Sequence, residues 1–128
     1  MTVLLDTHVL LWWVHDDPRL SKRVLTLLED EEVEVVVSVA SLWEIALKIT
    51  AGRFDLKPEL LATVLEQVGQ ARIRALPVQR DHVLSTVGLP KHHVDPFDRL
   101  LVAQAQIERT PILTSDPLIR KYAVETIW

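Results

Sequence analysis

The sequence predicts a single α/β domain in which a parallel sheet is covered by helices on both faces. Short runs of β-branched and other apolar residues alternate with longer segments of helical periodicity, and this alternation is typical of βαβ units. The chain has 128 residues, a length suited to one hydrophobic core. It contains no repeat, low-complexity tract or linker, so we expect residues 1–128 to form one domain.

The elements predicted in the first half of the chain begin and end at recognisable signals. The first predicted helix ends at Asp16-Asp17-Pro18. Ser21 is a good N-cap, and Gly52 is typical of a helix C-terminus. In order, we predict a strand at Val3–Leu5, a helix at Thr7–His15, a helix from Ser21 to about Glu31, a strand at Val33–Val37 and a helix from Ser38 to about Ala51.

The second half continues the alternation, and Gly88 and Pro90 close its shortest predicted helix. An amphipathic helix from Pro58 to about Ala71 comes first. Its apolar face consists of Leu60, Leu61, Val64, Leu65 and Val68. There follow a strand at Ile73–Val78, a helix at Arg80–Val87, a helix from Pro96 to about Glu108, a strand at Pro111–Thr114, a helix at Pro117–Tyr122 and a strand at Val124–Trp128.

Composition limits the classes of protein to which this chain can belong. Hydrophobic residues make up 48% and charged residues 25% of the sequence, which is typical of a globular protein rather than a disordered one. There is no cysteine, no apolar stretch approaching the ~20 residues of a membrane span, and no basic start typical of a signal peptide. We therefore expect a cytoplasmic protein without disulfides or membrane association.

The net charge of −4 argues against nucleic-acid binding through basic side chains alone, because proteins that neutralise phosphates directly are usually basic. An acidic protein can still act on nucleic acid when its carboxylates hold divalent cations that face the phosphates. The acidic side chains are therefore the first candidates for a functional site.

Three aspartates stand where a cation site is possible, and each also has an ordinary structural explanation. Asp6 and Asp116 each follow a predicted strand and precede a predicted helix, so both can be N-caps. Asp98 falls at N3 of a helix capped by Asp95, where an acid suits both the cap and the helix dipole. Any one of them alone is explained by helix capping.

Glu44 shares a helical stripe with Ser41 and Lys48, which indicates a solvated face with an i, i+4 ion pair. Together, however, the four acids suggest more, because the carboxyl ends of parallel strands meet at one edge of a sheet. Converging carboxylates repel one another unless a cation lies between them, and hard cations such as Mg²⁺ or Mn²⁺ prefer oxygen ligands. The spacing makes such a site possible without requiring it.

At these acids the sequence resembles the PIN-domain family and, within it, the VapC-type toxins of type II toxin–antitoxin systems. The matching motifs are Leu5-Asp6-Thr7, Ser38-x-x-Ser41-x-Trp43-Glu44-Ile45, Asp95-Pro96-Phe97-Asp98-Arg99-Leu100-Leu101-x-Ala103 and Leu113-Thr114-Ser115-Asp116. Each motif alone is weak, whereas the four in this order are fairly specific. One difference is His8, where many members carry Asn.

The resemblance implies a three-layer α/β/α sandwich with a central, mainly parallel sheet. It also implies a Mg²⁺- or Mn²⁺-dependent endoribonuclease that cleaves RNA, forms homodimers and is blocked by a small VapB-like antitoxin. The residues that it assigns to the site are the catalytic and metal-binding acids Asp6, Glu44, Asp98 and Asp116 and the polar neighbours Thr7 and Ser115.

The predicted chemistry is metal-assisted hydrolysis, which leaves a 5′-phosphate and a 3′-hydroxyl. Arg99 is a candidate phosphate contact, although a surface arginine near a helix start is an equally ordinary explanation. A phosphatase of the haloacid-dehalogenase kind also places an aspartate after its first strand, but it usually has a second aspartate where this chain has His8. A catalytically inactive PIN-like module that binds RNA or protein is the remaining alternative, and retention of all four acids argues against it.

The histidines show no zinc-site spacing. His8 is expected near the site without being a ligand. His92 and His93 directly precede the motif that begins at Asp95, and we expect them in a polar loop, because neighbours in sequence point apart.

Overall fold

The computed structural model of the protein describes residues 1–52, 59, 62–64, 66 and 73–128. The predicted helix from Pro58 to Ala71 falls mostly outside these residues. The described positions within it, 59, 62–64 and 66, are helical. Val64 is fully buried, whereas the rest of the predicted apolar face lies outside the described residues.

The strands of the described residues are β1 (Thr2–Leu5), β2 (Glu34–Ser38), β3 (Ile73–Leu76), β4 (Ile112–Leu113) and β5 (Thr126–Ile127). They form one sheet in the order β3-β2-β1-β4-β5, and every neighbouring pair is parallel. Parallel strands need a crossover connection between them, which passes over a face of the sheet.

The described helices begin close to where the sequence predicts them. Ser21 and Ser38 cap their helices through side-chain hydrogen bonds to the backbone N–H groups of Val24 and Ala40. The α-helices described over their whole length are α1 (Thr7–Val14), α2 (Lys22–Glu29), α3 (Val39–Thr50), α4 (Arg80–Ser85) and α5 (Pro96–Glu108), and a 3₁₀ turn at Thr86–Gly88 extends α4. None of these helices is long and apolar enough to cross a membrane.

One predicted helix is wrong in type. The segment Pro117–Tyr122 contains only a 3₁₀ turn at Ile119–Lys121. Tyr122 is already extended, with φ −83° and ψ 162°, and it is buried. Burial of Tyr122 against the sheet therefore ends the helix before it completes a second turn.

Alternating residues of the strands face two separate cores, which confirms the three-layer α/β/α sandwich. Val3 and Leu5 of β1 belong to one core, whereas Leu4 between them belongs to the other. The first core is completed by apolar residues of α1, α2 and α3, and the second by apolar residues of α5 together with Ile119 and Tyr122. The strands are thus buried on both faces, as parallel strands usually are.

The C-terminal end of α5 is closed by a residue with an unfavourable backbone conformation. Arg109 lies in the left-handed region with φ 52° and ψ 46°. The Thr110 N–H then donates to the Ala105 carbonyl at 3.0 Å, as in a Schellman motif. Glycine is the usual residue at this position because it has no Cβ.

We expect Arg109→Gly to be more stable than Arg109→Ala by roughly 0.5–1 kcal/mol, because a Cβ in the left-handed region costs more than the extra chain entropy of glycine. The measurement is the midpoint of urea denaturation for both variants. An alanine variant at least as stable as the glycine variant would show that Arg109 is not strained.

Candidate metal centre

The four candidate acids are positioned by the carboxyl edge of the sheet and the helices beside it. Asp6 directly follows β1, and Asp116 comes three residues after Leu113, the last residue of β4. Glu44 lies within α3, which follows β2, and Asp98 lies in the first turn of α5. This edge is where open parallel sheets bind their ligands.

Asp6 is both a helix cap and a carboxylate with a hydrogen bond to each of its oxygens. Its Oδ1 accepts a hydrogen bond from the His8 N–H at 3.2 Å, and its Oδ2 accepts one from the Thr114 hydroxyl at 2.7 Å. Burial by itself would raise the pKa of Asp6, but the hydrogen bonds from His8 and Thr114 outweigh it and hold the pKa below its ordinary value. Asp6 is therefore a buried, ionised carboxylate.

Thr114 connects two of the acids, and nothing in the sequence favours it over Ser115 beside it. Its hydroxyl donates to Asp6 and accepts a hydrogen bond from the Asp116 N–H at 3.0 Å. Thr114 is fully buried, whereas Ser115 is only partly buried. No local signal could have found Thr114, because strands buried on both faces show no alternation of buried and exposed positions.

Glu44 is buried, so the ordinary explanation of a solvated face does not hold for it. Only 5% of Glu44 is exposed, and its Oε2 lies 3.3 Å from the Lys48 Nζ. The same stripe of α3 carries Ser41, whose hydroxyl accepts a hydrogen bond from Thr7 at 2.9 Å. This stripe packs toward the start of α1 instead of facing solvent, and the predicted Glu44–Lys48 ion pair is present within it.

The sequence explains Asp98 as part of the N-terminal cap of its helix, but the structure shows that this cap does not need it. Asp95 caps α5 by itself, since its Oδ1 accepts hydrogen bonds from the N–H groups of Phe97 and Asp98. Burial raises the pKa of Asp98 to about 7, and the negative charges of Asp95, Asp6 and Glu44 add to this effect. Asp98 is therefore the carboxylate with the least compensation for its charge.

His93 lies in the predicted loop before α5, but it is buried between Asp98 and Asp116. Its Nε2 is 3.0 Å from the Asp116 Oδ2 and 3.7 Å from the Asp98 Oδ2. Only 8% of His93 is exposed. Adjacent side chains in a loop can differ in burial. Here the side chain of His93 is buried, whereas His92 remains partly exposed.

The Arg99 guanidinium is partly buried and binds three backbone carbonyls. Its Nη1 donates to the Pro90 carbonyl at 2.8 Å, and its Nη2 donates to the carbonyls of Thr86 and Leu89 at 2.9 and 3.3 Å. These bonds fix the chain between α4 and α5. Arg99 therefore supports the loop that carries His93, and its contact with a phosphate stays a prediction.

The donor set fits a divalent cation. One ligand atom each from His93, Asp98 and Asp116 lies within 4.8 Å of the other two. The charges of Asp6 and Glu44 act on Asp98 as well, although neither residue contributes a ligand atom to this group of three. Carboxylate oxygens that repel one another across a short gap are stabilised by a hard cation placed between them.

Comparison with known proteins identifies the family. The sequence profile of the PIN domain matches residues 3–125. The chain belongs to the PIN-domain family. This PIN domain is also 30% identical over 122 residues to Ribonuclease VapC22 of Mycobacterium tuberculosis, an alignment that covers 94% of this chain and 92% of the relative. Membership of this family sets aside the haloacid-dehalogenase alternative.

Solved structures share the fold of this PIN domain at low sequence identity. VapBC2 from Rickettsia felis, bound to a DNA fragment from its promoter, matches with a TM-score of 0.75 and 14% identity, covering 99% of this chain and 98% of that one. VapBC-1 from nontypeable Haemophilus influenzae matches with a TM-score of 0.64 and 12% identity, covering 99% and 97%. At these identities the likeness shows the fold.

We expect Asp98→Asn to stabilise the metal-free protein, and to do so more at pH 8 than at pH 5. The folded protein keeps a proton on Asp98 between its ordinary pKa of 3.8 and its raised pKa of about 7, whereas the unfolded chain releases it. Stability of the wild type therefore falls as pH rises through this window, and asparagine removes that loss.

Thermal melts in EDTA at the two pH values measure the effect. Asp81→Asn is the matched control, because Asp81 is an exposed acid in the first turn of α4. An equal change in melting temperature at both pH values for Asp98→Asn would contradict the prediction.

Proposed function

We propose that this PIN domain is a Mg²⁺- or Mn²⁺-dependent endoribonuclease and the toxin of a VapBC-type toxin–antitoxin pair. The observation that carries the proposal is the setting of Asp98, whose carboxylate is partly buried among the charges of Asp6, Glu44 and Asp95. Such an arrangement does not stabilise the metal-free protein, because burial and the neighbouring charges disfavour the ionised carboxylate. It is the arrangement expected of a centre built to hold a cation.

In this proposal Asp6, Glu44, Asp98 and Asp116 hold the divalent cation. When bound, the cation supplies positive charge against the phosphate and lowers the pKa of a coordinated water. Hydrolysis adds the water oxygen to phosphorus and breaks the bond to the 3′ oxygen, which leaves a 5′-phosphate and a 3′-hydroxyl. The ribose 2′-hydroxyl takes no part in these bond changes, so selection of RNA comes from binding.

The protein's own residues hold the acids in place. Thr114 holds the Asp6 Oδ2 and the backbone of Asp116 at once, so it fixes the distance between the ends of β1 and β4. Lys48 balances the buried charge of Glu44. Thr7 and Ser41 join the first turns of α1 and α3 through a buried hydrogen bond. Oriented ligands of this kind bind a cation without first having to reorganise.

The toxin role is supported by sequence and structural similarity to known proteins and by the acidic centre. A relative of nearly the same length is named a ribonuclease, and fold neighbours over almost the whole chain bear the VapBC name. We therefore extend the proposal to a small VapB-like antitoxin that covers the acidic edge and to RNA as the substrate. A homodimer and a cytoplasmic location remain expectations from the sequence.

We expect Mn²⁺ or Mg²⁺ to raise the melting temperature of the wild type and Glu44→Gln to reduce that rise. Binding to the folded state alone stabilises it by about 2.7 kcal/mol at a hundred times Kd. Thermal melts with and without Mn²⁺ measure the rise. Glu32→Gln is the matched control, since Glu32 is an exposed acid outside the site. Equal Mn²⁺ effects in Glu44→Gln and Glu32→Gln would remove Glu44 from the centre.

We expect purified protein to cleave single-stranded RNA with Mg²⁺ or Mn²⁺ and to lose at least about a hundredfold in rate in Asp6→Asn and Asp98→Asn, the order of loss seen when a stabiliser of transition-state charge is removed. The assay follows labelled RNA on a denaturing gel and identifies a 5′-phosphate on the product. Asp81→Asn serves as the control and should cleave at the wild-type rate.

Cleavage that persists in EDTA would falsify the metal-dependent proposal. Full activity in Asp6→Asn would reduce Asp6 to a helix cap, a role in which asparagine replaces aspartate well.

A further inference from the structure

The ring of His93 is fixed so that one nitrogen faces the acidic centre. The ring stacks on Tyr122 with its centroid 5.6 Å away and the two planes 12° apart. The Tyr122 hydroxyl accepts a hydrogen bond from the His93 backbone N–H at 3.0 Å. The Nδ1 atom is buried and has no hydrogen-bond partner among the described residues. The only polar contacts that the ring makes in the described part of the chain are those of Nε2 with Asp116 and Asp98.

The distances around Nε2 are close to those between ligands that share one ion. Ligands at neighbouring corners of an octahedron around an ion at ~2.1 Å lie about 3.0 Å apart, and ligands at opposite corners about 4.2 Å. Nε2 is 3.0 Å from the Asp116 Oδ2 and 3.7 Å from the Asp98 Oδ2. The three ligand atoms all lie within 4.8 Å of one another. Small side-chain adjustments therefore suffice for all three to bind one ion.

We propose that the Nε2 of His93 is a metal ligand together with Asp98 and Asp116, so that this end of the centre takes a first-row transition-metal ion in preference to Mg²⁺. The inference rests on the proposed function and deepens it by naming the class of ion. Imidazole nitrogen is a good ligand for transition-metal ions, whereas Mg²⁺ strongly prefers oxygen and retains its waters. A site built only from carboxylates has no nitrogen ligand with which to favour a transition-metal ion over Mg²⁺.

The competing explanation is that Nε2–H only donates a hydrogen bond to Asp116. His93→Gln separates the two explanations, because the glutamine amide can still donate to Asp116 but supplies no nitrogen ligand. If His93 acts through the hydrogen bond alone, His93→Gln keeps the wild-type affinity for Mn²⁺. If His93 is a ligand, the variant loses affinity for Mn²⁺ by about tenfold or more, with a smaller loss for Mg²⁺.

The experiment loads the full-length chain with Mn²⁺ alone and records pulsed EPR spectra, which detect a ¹⁴N nucleus bound to Mn²⁺. His92→Asn is the control for the adjacent histidine, which packs edge-on against the same tyrosine. His8→Asn is the second control, because its Nδ1 lies 3.7 Å from the Asp6 Oδ1. The Mn²⁺ and Mg²⁺ dissociation constants of each variant are measured in parallel by calorimetry, and melts in EDTA check that each variant is folded.

We expect a ¹⁴N coupling in the wild type that His93→Gln abolishes and both control variants retain. A wild type that binds Mn²⁺ without any ¹⁴N coupling overturns the inference and leaves the proposed function intact. A coupling that disappears in His8→Asn and survives in His93→Gln overturns the inference in the same way. A wild type that binds no Mn²⁺ at all overturns both the inference and the metal-dependent function. The spectrum of the wild type alone decides the question if His93→Gln fails to fold.

Discussion

Repulsion among the carboxylates at the carboxyl edge of the sheet is the constraint around which this structure is arranged. The strands beneath that edge are apolar and buried on both faces, with Val3, Leu4 and Leu5 of β1 fully covered. Burial of these residues fixes the strands in register, and the register fixes where the chain leaves the sheet. Asp6 is therefore held close to the end of β4 by hydrophobic packing, and the acids gather there at an electrostatic cost that other interactions must offset.

The four acids meet that cost in different ways. Asp6 accepts hydrogen bonds that favour its ionised form, Glu44 has the ammonium group of Lys48 beside it, and Asp116 has the imidazole of His93. Asp98 has the least compensation, since the nearby negative charges outnumber the single opposing effect of His93. An uneven distribution of this kind leaves one carboxylate whose charged form is disfavoured, so that it either keeps a proton or gains from an added cation.

Several polar residues outside the acidic set keep this edge in shape. Arg99 binds three backbone carbonyls of the chain that leads to His93, and Tyr122 holds the ring of His93 from the other side. Gln104 of α5 is fully buried and accepts a hydrogen bond from the Ser38 hydroxyl at the end of β2. A buried amide or guanidinium with satisfied partners specifies one arrangement of neighbouring elements, because any other arrangement leaves it unpaired.

The sequence by itself determined the alternation of strands and helices, the caps at Ser21, Ser38 and Asp95, and the choice of candidate acids, because each depends on local periodicity or on a residue's own hydrogen-bonding capacity. It did not determine which polar groups would be buried. Local pattern places Glu44 on a solvated face and His93 in an exposed loop, yet both are buried, and the ring of His93 stacks on Tyr122, which is distant in sequence. Burial, the pairing of Thr114 with Asp6, and the engagement of Arg99 depend on the packing of distant segments. Only the tertiary structure decided them, because local sequence carries no record of which distant backbone or side chain will lie within hydrogen-bond distance.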